Sequence, residues 1–286
     1  MRAAELATRV AHALPCPGER VAVTGCGSSL YMATAYAVLR ERAGHGHTDA
    51  FAASEEPTHR RYDRVLALTR SGTTTEVLDL LARLRGTVPT TAVTADPTAA
   101  VAGPADAVVG LEFADERSVV ATRSSTSMLA LLRAHLGTDL APIAEQARAV
   151  LRRPLDGLEH AGQVTFLGTG WTVGLAYEAA LKLREAAGAW TEAYPAMEYR
   201  HGPISIAEPG RVVWVFGAVP PGLAGDVAAT GARLVADDSV DPMALLPLAH
   251  RVAAAMAAIR GLDPDRPRNL SRSVVLTTGG RPDCPS

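Results

Sequence analysis

Short apolar runs alternate with longer stretches of helical periodicity along this chain. The run VAVTG at residues 21–25 leads into the turn GCG and then into apolar positions spaced as on one face of a helix. The stretch RVLALTRSG at residues 64–72 has the pattern of a buried strand and ends in a polar turn before a second helical stretch. Strands alternating with helices predict an α/β fold with doubly wound parallel sheets. Further strands are predicted at residues 90–96, 105–113, 211–222 and 231–237.

The clearest organisational feature is an internal repeat. The segment VTFLGTGWTVGLAYEAALKLREAAG, residues 164–188, repeats the strand, glycine turn and helix of residues 21–44. Two such units predict two subdomains, each a doubly wound, flavodoxin-like parallel sheet flanked by helices, in residues 1–150 and 151–286. The boundary is placed where a helical pattern breaks at Pro154, between the two units.

Composition narrows the classes of partner. The chain has 286 residues, a net charge of −2 and 5% aromatic residues, which gives no support to nucleic-acid binding. Residues 1–15 form an amphipathic helical pattern that includes Glu5 and Arg9, unlike a secretion signal, and no uncharged apolar run is long enough to span a membrane. Three widely spaced cysteines without a CxxC pair favour a reducing compartment, so we expect a cytoplasmic protein without a metal site.

Hydroxyl side chains gather at two turns of the first half. Ser28 and Ser29 begin a helix, where free backbone N–H groups and the helix dipole favour an anion. Thr69, Ser71 and Thr74 lie where the strand of the TRSG stretch ends, and open α/β sheets bind ligands at the carboxyl ends of their strands. Helix capping is the alternative explanation at each turn. Two such turns in neighbouring units favour a phosphate site.

Two other stretches of the first half are less decisive. Leu30 stands where a dinucleotide fingerprint has its third glycine, which disfavours dinucleotide binding. Thr122, with Glu116 six residues before it, precedes an apolar helix. Hydroxyls at that position either cap the helix or line a sugar pocket.

The second half contains the only lysine of the chain, Lys182, among 28 Lys and Arg residues. Glu178, Lys182 and Glu185 are spaced i, i+4 and i+7, so they share one side of a helix. Neighbouring positions are mostly Ala and Leu, which predicts a buried helix, and buried charges need partners or a function. An exposed ion pair is the alternative on spacing alone. The matched positions of the first-half helix are Ala35, Leu39 and Arg42. The fold itself therefore does not need the triplet.

Six stretches together resemble one family. GCGSS, TRSGTTTE, ERSVVATRSST, EAALKLRE, EYRHGP and GLDPDRPRNLSRSV, in this order, are similar to the sugar isomerase (SIS) domain family over almost the whole chain. The nearest patterns are the isomerase domain of glucosamine-6-phosphate synthase and the group of amino-sugar-phosphate deaminases and tagatose-6-phosphate ketose/aldose isomerases. The resemblance implies two tandem SIS subdomains and a phosphosugar aldose–ketose isomerase.

The resemblance leaves the substrate open. A hexosamine 6-phosphate would couple isomerisation to deamination, as in glucosamine-6-phosphate to fructose-6-phosphate plus ammonia. A hydroxy-sugar phosphate isomerase of the tagatose-6-phosphate type is one alternative, and a non-catalytic phosphosugar-sensing SIS module is another.

The resemblance also implies roles for individual residues. Glu185 would move a proton between C1 and C2 through a cis-enediol, and Lys182 and Glu178 would contact substrate oxygens and position it. His201 would open the sugar ring in the site of the neighbouring subunit of a homodimer, although a loop histidine is most often only solvated. No metal or organic cofactor is implied. The phosphate and sugar would be held by Ser28, Ser29, Thr69, Ser71, Thr74 and Thr122.

The chain departs from the synthase pattern in two places. It begins with the sugar-binding half and has no glutaminase domain, which disfavours a synthase reaction. Arg272 stands where the synthase-like tail has a lysine, and a guanidinium that stays protonated cannot form a Schiff base. The tail remains a candidate lid over the site.

Overall fold

The strands form two parallel sheets in the computed structural model, which describes residues 2–57 and 59–276. Both sheets share the strand order 2-1-3-4, which is the doubly wound, flavodoxin-like order, so the predicted fold class is confirmed. The first sheet is β2-β1-β3-β4-β5, made of β1 (Val21–Gly25), β2 (Thr48–Ala52), β3 (Arg64–Thr69), β4 (Thr90–Thr94) and β5 (Ala107–Gly110). The second is β7-β6-β8-β9, made of β6 (Gln163–Gly168), β7 (Thr191–Pro195), β8 (Arg211–Phe216) and β9 (Arg233–Ala236).

The helices cover the sheets and fill the space between them. Buried apolar side chains from the strands and helices of both halves belong to one continuous cluster, with Leu66 and Leu132 from the first half and Phe166 and Leu183 from the second. The α-helices are α1 (Arg2–Arg9), α2 (Ser28–Arg42), α3 (Thr75–Leu84), α4 (Arg123–His135), α5 (Ala141–Val150), α6 (Thr172–Ala187), α7 (Leu223–Thr230) and α8 (Leu246–Ile259).

The two repeated helices, α2 and α6, pack against each other in opposite directions. Gly170 lies beside Arg42 at one end of the pair, and Leu181 lies beside Gly27 at the other. The helices approach closely at Gly174, where a Cβ would clash with the backbone of α2. This arrangement brings the start of α2 next to the charged triplet of α6.

The packing crosses the predicted subdomain boundary. Helix α5 packs against α8 and the short 3-10 helix Pro242–Leu245, which follow the second sheet. Residues 262–276 return to the turn after β3 in the first half, as the hydrogen bond from Thr75 N to the carbonyl oxygen of Val274 shows (3.1 Å). A boundary between residues 150 and 151 therefore stays a prediction.

Two of the three cysteines lie within the described residues. Cys16 and Cys26 are free thiols, whereas Cys284 and the other residues of 277–286 lie outside the described residues.

The segment Pro242–Ile259 has the length and mean hydropathy of a membrane span, and half of it is buried. Its side chains Val252 and Met256 belong to the core cluster. A core helix passes the same test, so this is weak evidence for a membrane span.

Candidate active site

The charged triplet of α6 is buried rather than solvated. The side chains of Glu178 and Lys182 are 0% and 1% exposed, so the alternative of an exposed ion pair is wrong. Glu185, one turn further on, is 20% exposed and faces a cavity. The Ala- and Leu-rich sequence of α6 explains this burial, since the helix packs on α2 on one side and α8 on another.

Lys182 links the two halves of the site. Its ammonium donates a hydrogen bond to Ser28 Oγ at the start of α2 (2.9 Å) and pairs with the carboxylate of Glu185. Its Nζ also lies 3.8 Å from Oε1 of Glu178. One buried cation is thus shared between two carboxylates and a hydroxyl.

Glu178 is held from the first half by a residue of α4. Ser125 Oγ donates to Oε1 of Glu178 (3.0 Å), while Oε2 has no hydrogen-bond partner in the described part of the chain. Burial raises the pKa of Glu178, and the nearby ammonium of Lys182 opposes that rise. The sequence offered only a run of Ser and Thr at this position, and the long-range contact of Ser125 had no local signal.

The predicted phosphate-binding residues do gather around one cavity. It has a volume of about 190 Å³ and lies where β1 and β3 end, which is the topological switch point of the first sheet. Glu185 lines the same cavity, so the predicted base faces the predicted phosphate site. The hydroxyl residues in its wall are Ser28, Ser29, Thr69, Ser71 and Thr74.

Arg70, which was not among the residues predicted from the sequence, also lines this cavity. Its guanidinium donates to the carbonyl oxygens of Ser118 (2.8 Å) and Arg272 (2.6 Å). No carboxylate lies within ion-pairing distance of it among residues 2–57 and 59–276. Burial and the nearby guanidinium of Arg272 lower the pKa of Arg70. In the sequence it is the Arg of TRSG and stands between two of the hydroxyl residues that predict the phosphate site.

Thr122 precedes α4 but its side chain does not cap the helix, because its hydroxyl is bound to Glu116. Its backbone N–H and hydroxyl both donate to the carboxylate of Glu116, which also accepts from the backbone and hydroxyl of Ser124. Although burial acts in the opposite direction, these hydrogen bonds hold the pKa of Glu116 below its ordinary value. Thr122 lines a separate cavity of about 240 Å³ together with Lys182 and His250. The structure therefore places it behind the phosphate site rather than in it.

Two further features of this region are a cavity beside Glu185 and a histidine that shares a cavity with Lys182. The cavity of about 540 Å³ adjoins Glu185 on the other side and is lined by Arg184, Arg260 and Arg266 among others. His250 of α8 was not identified from the sequence; burial lowers its pKa to about 3, so the imidazole is neutral near pH 7.

His201 lies apart from these residues. It ends the short 3-10 helix Glu198–His201 and is exposed, and it lines none of the cavities named above. Its assignment to the site of a neighbouring subunit stays a prediction. Within the described residues, no group of three or more His, Cys, Asp or Glu side chains is arranged to hold a metal ion.

Similar sequences are aminotransferases that carry an isomerising activity in their names. The glutamine–fructose-6-phosphate aminotransferase (isomerizing) of Sulfurisphaera tokodaii is 27% identical over 295 residues, covering 90% of this chain and 50% of that protein. The enzyme of the same name from Aeropyrum pernix is 33% identical over 147 residues, covering 42% of this chain and 24% of that protein. The chain spans about half the length of the curated relatives it matches, and no family model matches it.

Similar solved structures cover nearly the whole chain. Glucosamine-6-phosphate deaminase from Thermotoga maritima superposes with a TM-score of 0.79 at 24% identity, covering 96% of both chains. Tagatose-6-phosphate ketose/aldose isomerase from Escherichia coli gives a TM-score of 0.73 at 18% identity, covering 96% of this chain and 90% of that one. In agreement with its sequence motifs, the chain therefore has the two-sheet SIS fold of the sugar-phosphate isomerases and deaminases.

Proposed function

We propose that this chain is a phosphosugar aldose–ketose isomerase whose site lies between the start of α2 and the charged face of α6. One observation carries the proposal. The carboxylate of Glu185, paired with a buried lysine, faces the same cavity as five hydroxyl side chains at the strand ends of the first sheet. The names of the similar proteins, which are sugar-phosphate isomerases, deaminases and aminotransferases, support the same chemistry.

Phosphate binding falls to the first half. The hydroxyls of Ser28, Ser29, Ser71 and Thr74 supply donors, and Arg70 supplies the positive charge that a phosphate dianion needs. The half-buried guanidinium of Arg70 has no carboxylate to neutralise it among the described side chains, so its charge is available to a ligand. A phosphate fixed there directs the rest of the sugar toward Glu185.

Proton transfer falls to α6. Glu185 removes the proton from C2 of the aldose and returns it to C1, so that a cis-enediol is the intermediate and one carboxylate serves both steps. The ammonium of Lys182 stabilises the negative charge that develops on the substrate oxygen. Glu178 lines none of the cavities described above and acts through Lys182, as a positioning residue.

The remaining parts of the proposal concern the assembly. His201 opens the sugar ring in the site of a partner subunit, which makes the homodimer the active form. Its exposure on the surface of one chain supports this role, since a side chain that serves a neighbour must be reachable. We place the enzyme in the cytoplasm, in agreement with its free thiols at Cys16 and Cys26.

The substrate that we propose is a hexosamine 6-phosphate. Its C2 carries nitrogen, so removal of the C2 proton gives an enolamine in place of the enediol, and return of the proton to C1 gives an imine at C2. Water then adds to this imine and breaks the C–N bond, which yields the ketose and ammonia. The deaminase from Thermotoga maritima, with a TM-score of 0.79, supports this choice. A hydroxy-sugar phosphate is the second candidate, favoured by the ERSVVATRSST stretch and by the likeness to a tagatose-6-phosphate isomerase. Arg272 does not favour covalent capture of the ketose, because its guanidinium is bound to Asp115 and to the carbonyl oxygen of Glu116.

The test is isotope exchange in heavy water. The protein is incubated with hexose and hexosamine 6-phosphates in deuterated water, and exchange at C2 and release of ammonia are followed. Exchange with ammonia supports the deaminase, and exchange without ammonia supports the hydroxy-sugar isomerase. Binding without exchange of any sugar would leave the sensing module as the function.

The Glu185→Gln variant tests the assignment of the base. It keeps the size of the side chain and removes the carboxylate, so exchange should fall by about 10²-fold or more while sugar phosphate binding persists. Glu145→Gln, an exposed change on α5, is the matched control and should exchange like the unmodified protein. Full activity in Glu185→Gln would show that another group is the base.

A further inference from the structure

The C-terminal segment places three successive residues on the proposed phosphate site. Arg70 donates from Nη2 to the backbone carbonyl oxygen of Arg272 (2.6 Å). Thr75 N, the first backbone amide of α3, donates to the carbonyl oxygen of Val274 (3.1 Å). Both acceptors are uncharged oxygens of residues about two hundred positions downstream.

Ser273, between these two residues, forms hydrogen bonds with the hydroxyl groups of the turn after β3. Ser71 Oγ and Thr73 Oγ1 donate to Ser273 Oγ at 3.1 Å and 3.0 Å, and Thr74 Oγ1 lies 3.3 Å from the same atom. One serine oxygen therefore stands among three hydroxyls of the TRSGTTTE turn. A main-chain oxygen on either side completes the set.

These donors are of the kinds that a phosphate group uses. A guanidinium, a cluster of hydroxyls and the N–H group at a helix start each bind one phosphate oxygen in a charge-assisted hydrogen bond. Residues 272–274 present three oxygens to them, with no negative charge. Because each donor proton serves one strong acceptor at a time, the segment and a phosphate compete for the same groups.

We propose that residues 272–274 act as an internal substitute for the substrate phosphate, which sugar phosphate must displace before it binds fully. The inference rests on the proposed function, since it assumes that this cavity receives a phosphate. The segment has an anchor outside the cavity, because the guanidinium of Arg272 pairs with Asp115 and also donates to the carbonyl oxygen of Glu116. A substitution at Asp115 therefore weakens the binding of the segment and leaves the phosphate donors unchanged.

The first test measures the affinity for inorganic phosphate by calorimetry. Ser273→Ala removes the oxygen that the hydroxyls bind, so phosphate should bind about fivefold more tightly, the equivalent of one net hydrogen bond of about 1 kcal/mol. Asp115→Asn weakens the outer anchor and should tighten phosphate binding in the same direction. Ser239→Ala, an exposed serine of the second half, is the control and should change nothing.

The opposite results are equally informative. Unchanged or weaker phosphate binding by both Ser273→Ala and Asp115→Asn overturns the inference and makes Ser273 a member of the phosphate site. If neither the unmodified protein nor any variant binds phosphate or a sugar phosphate, the proposed function itself fails, and the inference fails with it.

A second test follows the segment directly. Trypsin cleavage after Arg272 is read by mass spectrometry with and without inorganic phosphate. Displacement predicts that phosphate speeds cleavage at Arg272 and leaves cleavage at Arg148 of α5, which is exposed, unchanged. Protection of Arg272 by phosphate would instead mean that the segment closes over the ligand, which contradicts displacement.

Discussion

At the scale of single residues, the lone lysine is the centre of the molecule's buried charge. Lys182 pairs with both Glu178 and Glu185 and donates a hydrogen bond to Ser28, and its own side chain is buried. Arginine carries the positive charge at every other Lys or Arg position of the chain. The ammonium is a compact charge with rotatable donors, whereas a guanidinium is planar and holds its donors in a fixed fork.

Removing this cation should destabilise the fold. Lys182→Met leaves Glu178 buried without its counter-ion, so the free energy of unfolding should fall by about 3 kcal/mol in urea denaturation. Arg83→Met, which breaks an ion pair with Glu56 whose arginine is 57% exposed, is the control and should cost little.

A double variant checks the physical reason. Adding Glu178→Gln to Lys182→Met removes the uncompensated charge, so part of the lost stability should return. No recovery in the double variant would mean that Lys182 stabilises the fold through packing of its stem and not through charge.

Residues of the site could be predicted from the sequence only where a local pattern, such as a turn after a strand, marks them. The hydroxyls after β1 and β3 lie at turns that the sequence itself marks, and all five line the cavity. The contacts of Ser125 and Ser273 join positions far apart in the chain, so only the folded structure shows them. Thr122 had two explanations from the sequence, and its hydroxyl instead donates to Glu116, without a capping hydrogen bond to the helix and outside the wall of the phosphate cavity.

At the scale of elements, the two repeated helices set the geometry of the site. Helices α2 and α6 run in opposite directions and nearly touch at Gly174, where only a hydrogen fits against the backbone of Tyr31. The rings of Tyr31 and Tyr177 lie 5.4 Å apart on the same contact. A shift of α6 along α2 would move Lys182 away from Ser28.

The close approach gives a sharp prediction about glycine. Gly174→Ala should lower the free energy of unfolding by about 2 kcal/mol, because the added methyl group meets backbone that cannot move independently. It should also reduce activity by displacing Lys182. Gly225→Ala in α7 has open space around the new methyl group and is the control, with stability equal or slightly higher.

The strands in the middle of the sheets and the edge strands β5 and β9 were predicted from the sequence, whereas the edge strands β2 and β7 were not. The central strands β1, β3, β6 and β8 are buried apolar runs, which the hydrophobic pattern marks directly. Strands β2 and β7 read TDAFA and TEAYP, and most of their residues are only half-buried at the sheet edge. Such short, polar edge strands form because a neighbouring strand offers hydrogen bonds, which no local pattern announces.

At the scale of the whole molecule, one core runs through both halves. Helices α2, α6 and α8 contribute buried side chains to the same cluster, and α5 and the C-terminal segment each pack across from their own half. The two-unit organisation is clear in the sequence because each unit has its own strand–turn–helix pattern. Their shared packing is not, since it depends on which helix faces meet.

The shared core predicts cooperative unfolding. Heating the protein in a calorimeter should give a single transition whose calorimetric and van't Hoff enthalpies agree, because neither half can lose its share of the core alone. Two separate transitions would instead support independent subdomains on either side of residues 150 and 151.

The antiparallel pairing of α2 and α6 explains how two copies of one repeat can form a single site. Because the two helices are repeats of each other and run in opposite directions, the start of each helix lies beside the end of the other. The start of α2 lies beside Lys182 of α6, whereas the position of α2 that matches Lys182 in the repeat is Leu39. There the hydroxyl of Thr172 at the start of α6 is bonded to the carbonyl oxygen of Phe216 (2.8 Å). In the function that we propose, one copy supplies the charged helix and the other supplies the turn that binds phosphate. Because the two copies of the repeat carry different side chains, the molecule has the charged site at only one of two equivalent places.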